Sequence, residues 1–375
     1  LRRGRGAGAA WLMRGIVAAR SGDNAAMTFV SLDTSAEAAH PFSALTPDAV
    51  LDALDSVGLY GDGRLLALSS YENRVYQAAL EDGTRVVAKF YRPGRWSTAH
   101  ILEEHAFATE LAVAEVPVVA PLLLHGATLH QHAGFAFSVS PWRGGRLPEL
   151  DDFEVLEWLG RFIARLHCVG AERNFQVRPA LDLQQFGQEP RDWLLAQDVI
   201  PLELRTAWQQ ACDQALELIA ARACQQRAGG QFDWKNVTQL RLHGDCHPGN
   251  ILWTPLDEAG RGGPHFVDLD DARSGPAVQD LWMLLSGERR QRTQQLSALL
   301  DGYEQVRPFD RRELALIEPL RTLRLIHYSA WLARRWHDPI FALNFPWFGS
   351  HDYWHGQVAL LREQLQALQE EPLVG

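Results

Sequence analysis

Leu242-His243-Gly244-Asp245-Cys246-His247-Pro248-Gly249-Asn250-Ile251-Leu252-Trp253 sets polar, turn-forming residues between apolar flanks. Such a stretch holds a tight loop on a buried base, which is how a rigid scaffold presents reactive groups. Asp245 and Asn250 lie five positions apart. That is the spacing of a phosphoryl-transfer loop in which the Asp accepts the proton of an attacking hydroxyl and the Asn holds magnesium. Downstream, the apolar His265-Phe266-Val267 runs into Asp268-Leu269-Asp270-Asp271. Magnesium takes one or two carboxylates together with phosphate oxygens, so Asp268, at the strand end, is the expected ligand bridging to ATP. The ordered pair assigns Asp245 and Asp268 to catalysis, and Asn250 and Asp268 to the metal.

A kinase site also needs a sheet lysine for the α- and β-phosphates and a helical glutamate to orient it. Val86-Val87-Ala88-Lys89-Phe90 places a lysine among apolar strand residues, where an unpaired charge is costly. In the helix that follows, Glu104 shares a face with Phe107 and Leu111 and is expected to point inward and hold Lys89, with Glu103 the adjacent alternative. Ser69-Ser70-Tyr71-Glu72-Asn73-Arg74 occupies the position of a phosphate-covering loop but lacks the G-x-G-x-x-G pattern. Ser70 and Asn73 are expected to cover the nucleotide there.

Farther out, Thr46 and Pro47 open a helix through Val57. Alternating stretches at 65–68, 74–80 and 85–91 read as strands, the last two joined by Glu81-Asp82-Gly83, a strong hairpin signal. A helix over 97–115 precedes two more expected strands, at 118–124 and 135–140. Beyond the turn-rich Pro141-Trp142-Arg143-Gly144-Gly145, amphipathic helices are predicted at 153–168, 201–222, 278–285, 311–335 and 353–369. The fold class is therefore α+β: a small antiparallel-sheet lobe at 28–140 and a larger, mainly helical lobe at 141–375, in a two-lobed protein-kinase-like arrangement. Residues 1–27, with five arginines and no acid before Asp23, are expected to be a disordered extension or sequence upstream of a natural start at Met27.

The 375 residues, 46% hydrophobic, suffice for two lobes and a cleft. Thirty-six basic against 46 acidic residues give a net charge of −10, which excludes a generic nucleic-acid role. No apolar run reaches the roughly 20 residues of a membrane span. Four scattered cysteines fit neither a zinc site nor a disulfide framework. A cytoplasmic monomer is expected.

Val87-Ala88-Lys89-Phe90-Tyr91, the stretch 242–253, and Phe266-Val267-Asp268-Leu269-Asp270-Asp271-Ala272-Arg273 resemble the aminoglycoside/choline kinase-like superfamily. Ser70 to Tyr76, Gly275 to Leu285 and Asn344-Phe345-Pro346-Trp347 extend the likeness over nearly everything from about Thr28 on. Within the superfamily the likeness is to cytoplasmic bacterial serine/threonine protein kinases. It implies Asp245 as proton acceptor, Asn250 and Asp268 as magnesium ligands, Ser70 at the ATP site, and a role in surviving envelope or oxidative stress and opposing toxin-triggered cell death. Gly244 stands where ordinary protein kinases carry an arginine, so control through a phosphorylated activation loop is not expected.

Other uses of these residues stay open. His243, Asp245, His247, Asp268 and Asp270 are ligand types for a dinuclear hydrolytic site, although the histidines more simply brace the loop. Asp280 fits either a helix N-terminus or a carboxylate accepting loop N–H groups. Asp270 and Asp271 are solvated, or one of them shapes the substrate cleft. The aromatic stretch Trp331 to Trp347 reads as packing, and Cys246 as an inert thiol. The acceptor is a protein Ser/Thr hydroxyl or, alternatively, a small alcohol or amino-alcohol; a catalytically silent ATP-binding module is the third possibility.

Overall fold

The computed structural model describes residues 40–225, 237–255 and 262–375; the expected extension 1–27 lies outside them. A five-stranded antiparallel sheet in the order β1-β2-β3-β5-β4 comes first, from β1 (Gly61–Leu68), β2 (Arg74–Leu80), β3 (Arg85–Phe90), β4 (His130–His132) and β5 (Phe135–Pro141). Helix Pro47–Asp55, capped by the Thr46 hydroxyl on the Ala49 N–H at 3.2 Å, lays Val50 and Leu54 on this sheet against Phe90, Phe137 and Val139. The Asp82-Gly83 turn closes β2 on β3, with Gly83 at φ 85°.

β1 starts four residues earlier than the alternation suggested, because a bulge between Gly61 and Leu65 carries pairing through the glycines. The expected strand 118–124 is instead an extended connection making single bridges at Val118 and Leu124. Pro117 and Pro121 lack the N–H groups a ladder needs. It still ties the parts together: Val119 N–H reaches the Phe266 carbonyl at 3.1 Å, and Leu122 N–H the Val139 carbonyl at 2.7 Å.

Helix Thr98–Val113, capped by Ser97, packs Phe107 and Leu111 against Leu166, Val169, Phe175 and Leu269 of the helical part, joining the two. That part contains helices Phe153–Gly170, Leu202–Gln225, Arg289–Glu304, Ile317–Arg334 and His351–Ala367. The expected 278–285 helix is cut to Gln279–Trp282, and 311–335 divides into a 3-10 turn and the helix from Ile317. Helices Glu189–Ala196, Arg289–Glu304 and Pro339–Asn344 were not anticipated; the first and last are too short to show a helical period, and Arg289–Glu304 opens on a polar run. Two short ribbons, β6 (Leu240–Leu242) with β9 (Arg273–Gly275) and β7 (Ile251–Thr254) with β8 (Gly263–Phe266), support the polar loops. No described helix is long and apolar enough to cross a membrane.

Helices Phe153–Gly170 and Arg289–Glu304 meet backbone to backbone. A Cβ at Gly160 would collide with the Leu299 carbonyl, and one at Gly302 with the Glu157 carbonyl. Gly160→Ala is therefore expected to destabilise by about 1–3 kcal/mol through overpacking, despite alanine's better helix propensity. The denaturant midpoint at constant m-value measures it.

Candidate active site

β6 delivers the chain to the loop quoted above. Gly244 is left-handed at φ 84°, and a Cβ there would collide with the carbonyl of Asp271, so no longer residue fits before Asp245. Asp280, fully buried, accepts the N–H groups of His243 at 2.8 Å and Gly244 at 2.9 Å and lies 3.1 Å from Nε2 of His167. Asp280 thus braces the loop while also standing in the first turn of helix Gln279–Trp282, so both of its open readings are met. Gln279 donates to the Gly244 carbonyl at 2.9 Å. His243 Nε2 sits 3.0 Å from the Val267 carbonyl, and His247 Nδ1 accepts the Gly249 N–H at 3.0 Å. Both histidines are thus occupied in bracing. Among the described residues no group of three or more His, Cys, Asp or Glu could hold a metal ion, so the dinuclear alternative has no counterpart. Cys246 is buried, and burial, then Asp280 and Asp245, push its thiol well above the usual range.

The Asn250 amide donates to the Asp245 carbonyl at 3.1 Å, while its own backbone carbonyl accepts the Val267 N–H at 3.0 Å. This seats Asn250 against the residue preceding Asp268, and both side chains line one cleft. Asp268 adopts φ 64°, ψ 62°, a left-handed backbone uncommon for a residue with a side chain. Lys89 Nζ donates to its Oδ1 at 2.9 Å and lies 3.3 Å from Asp270 Oδ1. Burial opposes the ammonium, but Asp268 and Asp270 outweigh it and hold the lysine pKa well above its ordinary value. A carboxylate with half its side chain exposed, lining the same cleft as the Asn250 amide, is of the donor type that magnesium takes together with waters and phosphate oxygens.

Asp270 is not solvated. It is buried, accepts Asn73 Nδ2 at 3.1 Å and pairs with Arg95 as well as Lys89. Burial pushes its carboxyl up, and Lys89 and Arg95 more than reverse that. Asp271 takes Arg95 at 2.9 Å and Arg273 at 2.7 Å. Glu104 points inward as expected, yet the Lys89–Glu104 ion pair is not formed. The lysine is already satisfied at the Asp268–Asp270 turn, Glu104 Oε2 has no hydrogen-bond partner among the described residues, and burial raises its pKa to about 7. Glu103 turns elsewhere, accepting the N–H groups of Gln176, Val177 and Arg178.

In the covering loop, Ser70 lines the cleft. Asn73 instead ties the loop down, bonding Asp270 on one side and accepting the Arg92 N–H at 3.0 Å on the other. Glu72 meets Arg92 at 2.9 Å, Arg335 at 2.6 Å and the Trp331 indole at 2.6 Å. Buried Asp338 binds Arg74 at 2.9 Å and Arg92 at 2.7 Å.

Trp331 and Phe345 stand in the wall of this cleft rather than only in the core. Asp245 faces it with Arg324 Nη1 2.7 Å from Oδ1 and His247 Nε2 3.4 Å from Oδ2. Burial works to raise its pKa; Arg324 and then His247 overcome this and hold it well below the usual carboxylate range. Arg324, Arg92, Arg95 and Asp338 were not anticipated. The one available signal was a cation set on the stripe Leu320, Leu323, His327 that the helix turns inward.

A model of the phosphotransferase enzyme family matches residues 64–317. The chain is 48% identical over 335 residues to stress response kinase A of Escherichia coli K12, covering 89% of this chain and 97% of that one. The chain belongs to the phosphotransferase enzyme family. Serine/threonine protein kinase RdoA of Salmonella typhimurium LT2 is 46% identical over 336 residues, with the same coverage. Among solved structures, the amicoumacin kinase hAmiN, in complex with AMP-PNP, Ca2+ and Ami, superposes with a TM-score of 0.63 at 21% identity, covering 87% of this chain and 95% of that chain. A microcompartment-associated aminopropanol kinase gives 0.63 at 18%, covering 85% and 98%. These two share the fold with this phosphotransferase.

Two tests follow from the buried carboxyls of this phosphotransferase. Asp280→Asn keeps the shape but sets an amide N–H against backbone N–H donors, and is expected to destabilise by roughly 2–4 kcal/mol in denaturant titration. Glu104 and Glu313 both have folded pKa values near 7 against 4.5 unfolded. The folded state then holds more protons between these values, so both groups lower stability as pH rises from about 4.5 to 7. Glu104→Gln removes one of the two titrations. Its stability relative to the parent is expected to climb over that window, measured by midpoints at pH 5 and pH 7.

Proposed function

We propose that this phosphotransferase is a cytoplasmic, monomeric serine/threonine protein kinase of the bacterial stress response, transferring the γ-phosphoryl group of ATP. The gathering of Asp245, Asn250 and Asp268 on one cleft, with Lys89 at Asp268, carries the transfer chemistry. Ser70 covers the nucleotide, and Lys89 takes its phosphates. Asn250 and Asp268 would hold a magnesium ion, which offsets the charge that develops on the moving phosphoryl group. Asp245 orients the acceptor hydroxyl and receives its proton. The boundary between the nucleotide-binding and helical lobes is drawn at residues 140–141.

The acceptor is assigned by analogy with the serine/threonine protein kinase RdoA, 46% identical to this chain. Charge supports it over a cationic amino-alcohol. The cleft carboxylates are matched by Lys89, Arg95, Arg273 and Arg324, so a bare carboxylate for an ammonium group is lacking.

The test is incubation with labelled ATP, magnesium, casein and a panel of small alcohols that includes choline and aminopropanol. Label is expected in casein and to fall at least about 100-fold with Asp245→Asn, as for the loss of a general base. Label confined to the alcohols overturns the protein acceptor; equal labelling by the Asn variant overturns Asp245.

A further inference from the structure

We propose that Arg324 is the acceptor-side cation of the phosphoryl transfer, a catalytic residue lent by helix Ile317–Arg334 to a loop that has none of its own. This rests on the assignment of Asp245 as the residue that receives the acceptor hydroxyl. No Lys or Arg occurs between Leu242 and Trp253, although charge must be neutralised where the phosphoryl group meets the acceptor.

The neighbouring cations are committed elsewhere. Lys89 sits between Asp268 and Asp270, and Arg95 between Asp270 and Asp271. Arg273 gives Nη2 to the Asp271 carboxylate and Nε to its carbonyl at 2.8 Å. His327, one turn on from Arg324, is kept uncharged at neutral pH, since burial lowers its pKa to about 3. Arg324 differs from all of these. It forms one ion pair, to Asp245 Oδ1, makes no side-chain hydrogen bond among the described residues, and leaves 24% of its side chain open at the cleft.

An acceptor hydroxyl must share the Asp245 carboxylate that Arg324 now holds. The phosphoryl group then passes within about 3–3.5 Å of that hydroxyl, inside the sweep of the guanidinium. In the step itself the bond from Pγ to the bridging oxygen breaks, leaving its electron pair on ADP. The acceptor oxygen forms the new O–P bond and its proton moves to Asp245. Arg324, turned from the carboxylate, spans two phosphoryl oxygens with its planar fork, a geometry lysine cannot copy.

The experiment compares the parent, Arg324→Met, which keeps the packed stem, and Arg324→Lys in labelled-ATP transfer to casein, with ATP affinity measured separately by equilibrium binding. Arg324→Met is expected to lower kcat by about 10³-fold, as for loss of an arginine supplied to a phosphoryl group, with ATP affinity within about two-fold of the parent. Arg324→Lys is expected to recover about ten-fold of that loss. A kcat within about five-fold of the parent, or a loss of ATP affinity as large as the loss of rate, overturns the proposal. Should the Met variant not fold, Arg324→Lys decides alone: about a 100-fold lower kcat at parental ATP affinity supports it, and parental kcat overturns it. Asp245→Asn as active as the parent removes the basis in Asp245 itself, whereas a silent Asn variant beside an active Met variant sinks Arg324 alone. A parent that labels neither casein nor a small alcohol overturns both.

Discussion

Asp270 is the charge on which the joining of the two parts of the molecule depends. A carboxylate this deeply buried survives only if it is paired and hydrogen-bonded. Its partners come from separated places: Lys89 from β3, Asn73 from the covering loop, and Arg95 from the segment after β3. Each is drawn toward the helical part to meet the cost of burying one charge. The two carboxylates that share Lys89 are not equivalent, however. The side chain of Asp268 is 48% exposed and that of Asp270 only 4%. Asp268 is thus the partner that Lys89 can lose to solvent, while the buried Asp270 continues to anchor the lysine.

Local backbone shape serves the same end. A left-handed aspartate costs of order 1–3 kcal/mol unless its surroundings fix it. Asp268 is fixed on both sides, by the β8 pairing that ends at Phe266 and by the 3-10 turn Leu269–Asp271. The same turn presents the Asp271 carbonyl to Gly244, and this contact keeps the two polar loops in register. Glycine at 244 is therefore a packing requirement between the loops as much as a turn requirement.

What was legible in the sequence was whatever a short run of residues determines by itself. The sheet hairpin, the capped helices and the order of Asp245, Asn250 and Asp268 are local patterns, and the family match agrees with the class they indicated. The sequence was silent where partners lie far apart along the chain. Asp338 meets Arg92 across 246 positions, and Lys89 meets Asp268 across 179. Periodicity placed Glu104 inward correctly, but which of several inward acids a lysine chooses is a matter of three-dimensional distance. The strand expected at 118–124 failed for a smaller reason: its apolar run gave no weight to Pro121, which cannot donate.

Helix Ile317–Arg334 and its continuation connect the two halves of the cleft. Arg324 near its middle reaches Asp245, Trp331 two turns later holds Glu72 of the covering loop, and Asp338 beyond its end holds Arg74 and Arg92. A helix is stiff over this length, rising 1.5 Å per residue. Arg324 and the Trp331 contact are therefore held at a fixed separation along one helix. In a loop without the glycine pattern, such anchoring fixes Glu72 and Arg74 against the helical part. The loop at Asp245 and the segment Glu72 to Arg74 are then held by one rigid element, and their relative placement follows from its position.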